Sequence, residues 1–312
     1  MYSSADTAEE SQHSIPAGTA TTTMSKKKIA VIGLGSIGSR HARNLMHLGH
    51  EVCGFDTHTI AVVPGMRCYH VWENLPKVDA YVIASPTPTH AYYIAACELF
   101  DRPYFVEKPL KDKLTDSAYG GSATMVGYNL RFHSCVLQAK EWIDSGLVGK
   151  PQWANLVVAQ RNNKTDYLRD GVILNWSHEV DLALHLLGPA TVKACVADEK
   201  ETLADIILTH ENDCQTTLHL DYLTKPEIRQ SVVVGDKGTI IIDLVHRHAW
   251  LRHSHEATPI GFVGDDSFDS NYLDEMESFI ARIDGEETVG CTGAEGLEAL
   301  KICLEAKRKA AG

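Results

Sequence analysis

The chain has 312 residues, 44% of them hydrophobic and 22% charged, with a formal net charge of −12. That length allows two domains with real cores. The acidic balance argues against nucleic acid or an anionic membrane as the main partner, and no apolar run approaches the roughly 20 residues that span a bilayer. Eight scattered cysteines without a C-x-x-C pair read as reduced thiols of a cytoplasmic protein rather than a disulfide or zinc framework.

Residues 1–24 are rich in Ser, Thr, Ala and Glu and lack an apolar core segment. They read as a disordered tail, neither a secretory signal nor a transit peptide. Residues 29–38, Ile-Ala-Val-Ile-Gly-Leu-Gly-Ser-Ile-Gly, then give a β-branched strand that runs into the G-x-G-x-x-G spacing of Gly33, Gly35 and Gly38. Glycine permits the tight turn, the close approach of backbone to a pyrophosphate, and close helix–strand packing. The following helix (Ala42, Leu45, Met46, Leu48) would offer its free N–H groups to phosphates. A second strand, 51–56, ends in Asp56, placed to meet a ribose diol about 20 residues on. The alternative is a glycine-tightened turn with no ligand.

Strand and helix signals keep alternating through 79–85 (strand), 90–100 (helix), 103–108 (strand) and 125–129 (strand). This predicts βαβ units and a parallel sheet, with ligands beyond the carboxyl ends of the strands. Ser85, Pro86, Thr87, Glu107 and Lys108 all fall at such ends. A helix over 132–145 closes this part. From about 151 the pattern becomes a strand at 153–159, a helix at 176–187, successive strands at 191–197, 203–209, 214–222, 229–235 and 238–244, and helices at 271–284 and 293–310. The expected fold is therefore α/β: a Rossmann domain with a parallel sheet over 25–128, and an α+β domain with a large, open, mostly antiparallel sheet over 129–312.

Two constellations carry chemistry. Lys108, at a strand end beside the expected cofactor, can bind a substrate hydroxyl and, if desolvated, take part in proton transfer; the alternative is a surface lysine. In the 176–187 helix, His178, Asp181 and His185 fall at i, i+3 and i+7 and share one face. Asp181 is four residues from His185 and can tune that imidazole as a base. The alternatives are a solvated polar stripe or, less favoured, a metal site. His246, His248, His253 and His255 form a further His-rich stretch, with 246 and 248 on one face of a strand, read as surface decoration.

The ordered set Gly33-Leu-Gly-Ser-Ile-Gly38, Ser85-Pro-Thr-Pro-Thr-His90, Glu107-Lys-Pro109, Gly127-Tyr-Asn-Leu-Arg-Phe-His133 and His178-Glu-Val-Asp-Leu-Ala-Leu-His185 resembles the Gfo/Idh/MocA family of NAD(P)-dependent oxidoreductases. The resemblance implies Lys108, Asp181 and His185 as catalytic residues. It implies a cofactor site of Gly33, Gly35, Ser36, Ile37, Gly38, Asp56, Ser85, Pro86, Thr87, His90, Glu107 and Lys108, with Asn129, Arg131 and His178 facing substrate and no metal. The cofactor would be NAD rather than NADP, because Asp56 repels a 2′-phosphate. The substrate would be a sugar, nucleotide sugar or cyclitol, and the C-terminal sheet would build a homodimer or homotetramer. Two connections, 110–126 and 161–175, are shorter than the family's usual ones, the first by roughly two helical turns. They motivate the alternatives of a non-catalytic dinucleotide sensor or a reductase of a nonsugar carbonyl or imine.

Overall fold

The computed structural model describes residues 25–58, 63–114, 124–161, 165–253, 258–264 and 269–312, with the backbone alone described over 165–169. Its first part alternates β1 (Lys28–Ile32), α1 (Ser36–His47), β2 (Glu51–Phe55), β3 (Arg67–Tyr69), β4 (Ala80–Ile83), α2 (His90–Leu99), β5 (Tyr104–Glu107) and β6 (Met125–Gly127). These six strands are parallel, in the order β6-β5-β4-β1-β2-β3. Ile29, Val31, Val82 and Phe105 are buried on one face and Ala30, Ile32, Ile83 and Val106 on the other. Continuous apolar runs are what a sheet covered on both sides requires. The chain leaves β1 toward β2 on one side, while β4 pairs on the other. A ligand crevice therefore opens over the ends of β1 and β4.

After a 3-10 turn at Asn129–Phe132 come α3 (Ser134–Asp144), β7 (Pro151–Ala159), α4 (Thr165–Asn175, interrupted at Gly171) and α5 (Ser177–Leu187). Then follow β8 (Ala190–Ala197), β9 (Leu203–His210), β10 (Gln215–Asp221), β11 (Ile228–Gly235), β12 (Gly238–Asp243), β13 (His248–His253) and β14 (Ile260–Val263). They form an eight-stranded sheet in the order β14-β13-β12-β11-β7-β10-β9-β8. Every pair is antiparallel except β7 with β10. Strict alternation puts Ala154, Leu156 and Val158 into the core and leaves Trp153 at 43% exposure on the opposite face. α3 and α5 lie on the core face.

The C-terminal stretch returns to the first sheet. α6 (Ser270–Ile283) packs on α1, and β15 (Cys291–Thr292) adds antiparallel to β6, so this stretch completes the parallel layer. Met276, Phe279 and Ile280 of α6 fill the apolar cluster under Ile29, Val31 and Phe105. α7 (Gly293–Ala310) then starts on a reciprocal cap between Thr292 and Glu295 and returns to α5 and β8. The T-x-x-E signature satisfies two N-terminal N–H groups at once.

The His-rich stretch departs from expectation. His248 and His253 bound β13, but His246 lies in the preceding turn, its Nδ1 3.0 Å from Asp243 Oδ2, and His255 lies outside the described residues. All eight cysteines are free. Among the described residues no helix is long and apolar enough to cross a membrane.

Candidate active site

The turn after β1 is built as its glycines dictate. Gly33 has φ +87°, and a β-carbon there would lie 2.6 Å from Ser85 Cα, so the turn packs directly on the end of β4. Gly38 is buried against Gly33. Gly35 precedes α1 with no side-chain cap, and a β-carbon on it would meet nothing within 4 Å. Unclaimed helix N–H groups beside an open approach are what a pyrophosphate needs. Asp56 closes β2 and is fixed by two backbone donors, Leu34 N at 2.8 Å and His58 N at 2.9 Å. These residues fit a dinucleotide with a free ribose diol.

A cleft of about 1090 Å³ continues from this turn across the carboxyl ends of the parallel strands. Gly33, Gly35, Ile37, Asp56, Ser85, Pro86, Thr87, His90, Glu107 and Lys108 line it, as do Asn129 and His178. Ser36 is exposed at the start of α1, and Gly38 stays behind the turn; neither is on the wall. His90 reaches the cleft, but its ring nitrogens face the carbonyls of Ser85 (2.8 Å) and Pro109 (3.1 Å), so it pins two strand ends together.

Lys108 crosses to the other layer and donates to the Asn175 carbonyl at 2.8 Å. Burial lowers its pKa, opposed by neighbouring Glu107. His178 sits edge-on to Tyr128, with Nδ1 buried and without a hydrogen-bond partner among the described residues. Burial, then the positive charges of Lys108 and Arg229, hold its pKa well below the ordinary 6.5. It is a neutral imidazole at neutral pH, beside a cation.

Three further expected site residues are not on the cleft wall. Asp181 is buried and bound by Arg131 through two hydrogen bonds, Nε to Oδ2 at 3.0 Å and a terminal nitrogen to Oδ1 at 2.7 Å. Arg131 also donates to Glu295 Oε1 at 3.0 Å, so its guanidinium ties the 129–132 turn to α5 and α7 and does not face the cleft. His185 does not line the cleft either; burial, then Arg131, lowers its pKa to about 4. Seven residues of helix advance about 10.5 Å, so a shared face does not bring His178 and His185 to the same end.

Sequence reasoning missed Trp176, Arg229 and Tyr272 on the cleft wall. Arg229 is held by buried Glu179 (Nε to Oε1, 2.7 Å) and lies 5.5 Å from the Trp176 ring. Glu179 directly follows His178, but nothing local marks Arg229, which reaches it from β11. Of the two short connections, 115–123 and 162–164 lie outside the described residues.

Residues 27–118 match the family model described as oxidoreductase family, NAD-binding Rossmann fold. Residues 136–241 match the GFO/IDH/MocA C-terminal domain. Myo-inositol 2-dehydrogenase of Thermotoga maritima is 26% identical over 90% of this chain and 95% of its own length. The scyllo-inositol 2-dehydrogenase (NAD(+)) of Bacillus subtilis is 31% identical over 52% of this chain and 54% of its own. The fold matches the inositol dehydrogenase homolog of Azotobacter vinelandii, solved with NADH and myo-inositol, at a TM-score of 0.76 and 14% identity, covering 92% of this chain and 96% of that one.

Proposed function

The chain belongs to the Gfo/Idh/MocA family of oxidoreductases, and from this we propose that it is an NAD-dependent dehydrogenase of a sugar or cyclitol, acting at a CH–OH carbon. The inositol dehydrogenases among its relatives support that substrate class. One observation carries the mechanism: Lys108, directly after β5, and His178 of α5 line the same cleft as the Gly33 turn. The bound nicotinamide supplies the hydride acceptor or donor. Lys108, aimed by the Asn175 carbonyl, donates a hydrogen bond to the substrate hydroxyl oxygen and stabilises negative charge as it develops. His178, neutral and desolvated, takes the hydroxyl proton. Asn129 orients the neighbouring hydroxyl, and the Trp176 ring offers an apolar wall to the C–H face of a ring. Asp56 selects NAD. The reading extends to a cytoplasmic enzyme that assembles as a homodimer or homotetramer on the open face of the eight-stranded sheet.

NADH fluorescence over a panel of inositols, sugars and nucleotide sugars tests the activity. Lys108→Ala and His178→Ala should each lose about 100-fold or more in kcat while still binding NADH. His185→Ala should stay within a few-fold of wild type. Near-normal turnover in the first two variants would end this mechanism, and silence across the panel would end the substrate assignment.

A further inference from the structure

Directly behind Glu107 lies a group of side chains that the mechanism does not use. His41 of α1 and Glu275 of α6 are both 0% exposed. One donor or acceptor atom each of His41, Glu107 and Glu275 lies within 4.8 Å of the others. His41 Nε2 is 2.6 Å from Glu107 Oε1, and the His41 ring packs edge-on against Phe105 and Tyr272. Glu107 thus has a partner and reaches the cleft. Glu275 does not: both its carboxyl oxygens are buried without a hydrogen-bond partner among the described residues.

A carboxylate without a partner in such a place is very costly, and a second carboxylate beside it makes it more so. After burial, the charges acting on Glu275 are those of Glu107 and Asp181, both negative. Asp181 has its own guanidinium in Arg131. Tyr272, one turn earlier in α6, responds to Glu107 and Glu275 in the same sense. Two acids so placed resist ionising together, and Glu275, the one without a partner among the described residues, is the one that keeps its proton.

We propose that Glu275 is a positioning residue: it stays protonated behind Glu107, so that no buried carboxylate charge competes with Glu107 for its place against His41 and beside Lys108. Lys108 depends on this, because Glu107, ahead of Glu179, is the largest influence opposing the effect of burial on its ammonium group. The proposal rests on the reading of Lys108 given above, but its first test does not.

That test compares the thermal midpoint of full-length wild type and Glu275→Gln across pH, without substrate. Above about pH 4.3 an unfolded glutamate releases its proton, whereas the folded protein keeps it. Wild-type stability relative to the glutamine variant must then fall as pH rises from the unfolded value toward the folded one. Glutamine mimics the protonated acid at every pH, so its advantage should grow to about 4 °C or more near neutrality. Superimposable curves overturn the proposal. A glutamine variant that does not fold also overturns it, since it would mean the acid is needed as an anion. So does micromolar Zn²⁺ that raises the wild-type midpoint but not the variant's, which would make the cluster a cation site. The second test is kinetic. Glu275→Leu should lose about tenfold in kcat with an unchanged KM for NAD, and Glu275→Gln should restore most of that loss. A Leu variant as fast as wild type removes the positioning role and leaves the dehydrogenase reading intact.

Discussion

A β-carbon at position 35 would meet nothing within 4 Å, whereas one at position 38 would lie 1.9 Å from the Gly33 carbonyl oxygen. The two glycines of one motif therefore fail differently. Gly35→Ala should fold normally, with a midpoint within a degree or two of wild type, but should weaken NADH binding by about tenfold, or about 1.4 kcal/mol, because the methyl group fills the approach left for phosphate. Gly38→Ala should cost about 3 kcal/mol or more of stability, because only backbone can give way. Thermal unfolding and NADH titration on both variants separate the two effects. The charged residues of the cleft make a second prediction. The pKa of His178 is held below 6.5 chiefly by burial and that of Lys108 below 10.5 by the same cause. A base must be deprotonated and the lysine protonated to act. The acid limb of kcat/KM should therefore fall below pH 6.5, and the basic limb below pH 10.5. An acid limb at or above the ordinary histidine value would remove His178 as the base.

Among the elements, α5 shows what a pattern can and cannot specify. Its period placed His178, Asp181 and His185 on one side, and the structure keeps that period. Which end of the helix meets the cleft depends on Lys108 crossing to Asn175 and on Arg131 arriving from the 129–132 turn, and neither contact has a local signature. Asp181, expected from the sequence to tune His185, is also half of a buried ion pair with Arg131. Removing one partner leaves the other charge stranded, so Arg131→Met or Asp181→Leu should destabilise the fold by about 3–5 kcal/mol. The double variant should recover much of that loss, as a chemical-denaturation cycle would measure. Strong periodicity likewise made β1, β2, β4, β5, α6 and α7 legible. β15, two residues long, and the parallel pairing of β7 with β10 were not, because both depend on long-range pairing.

Over the whole molecule, the two sheets divide the labour. The parallel sheet is covered on both faces and exposes only its strand ends to the cleft. The eight-stranded sheet carries helices on one face, and its other face sets Trp153, Ile207, Val232 and Ile241 among polar side chains such as Asn155 and Thr217. Val232 pairs with Ile241 across β11 and β12 and with Asn155 across β7. Trp153 and Ile207 on the same sheet are 43% and 41% exposed. Exposed large apolar side chains grouped on an uncovered sheet face fit burial against a second copy. The double variant Val232→Glu with Ile241→Glu places two like charges at adjacent positions on that face. Light scattering should find wild type as a dimer or tetramer and the variant as a monomer. NADH should bind both alike, because the Gly33–Gly38 turn and Asp56 lie in the other sheet. A wild-type protein that is monomeric at micromolar concentration would leave this face without the role the fold suggests for it.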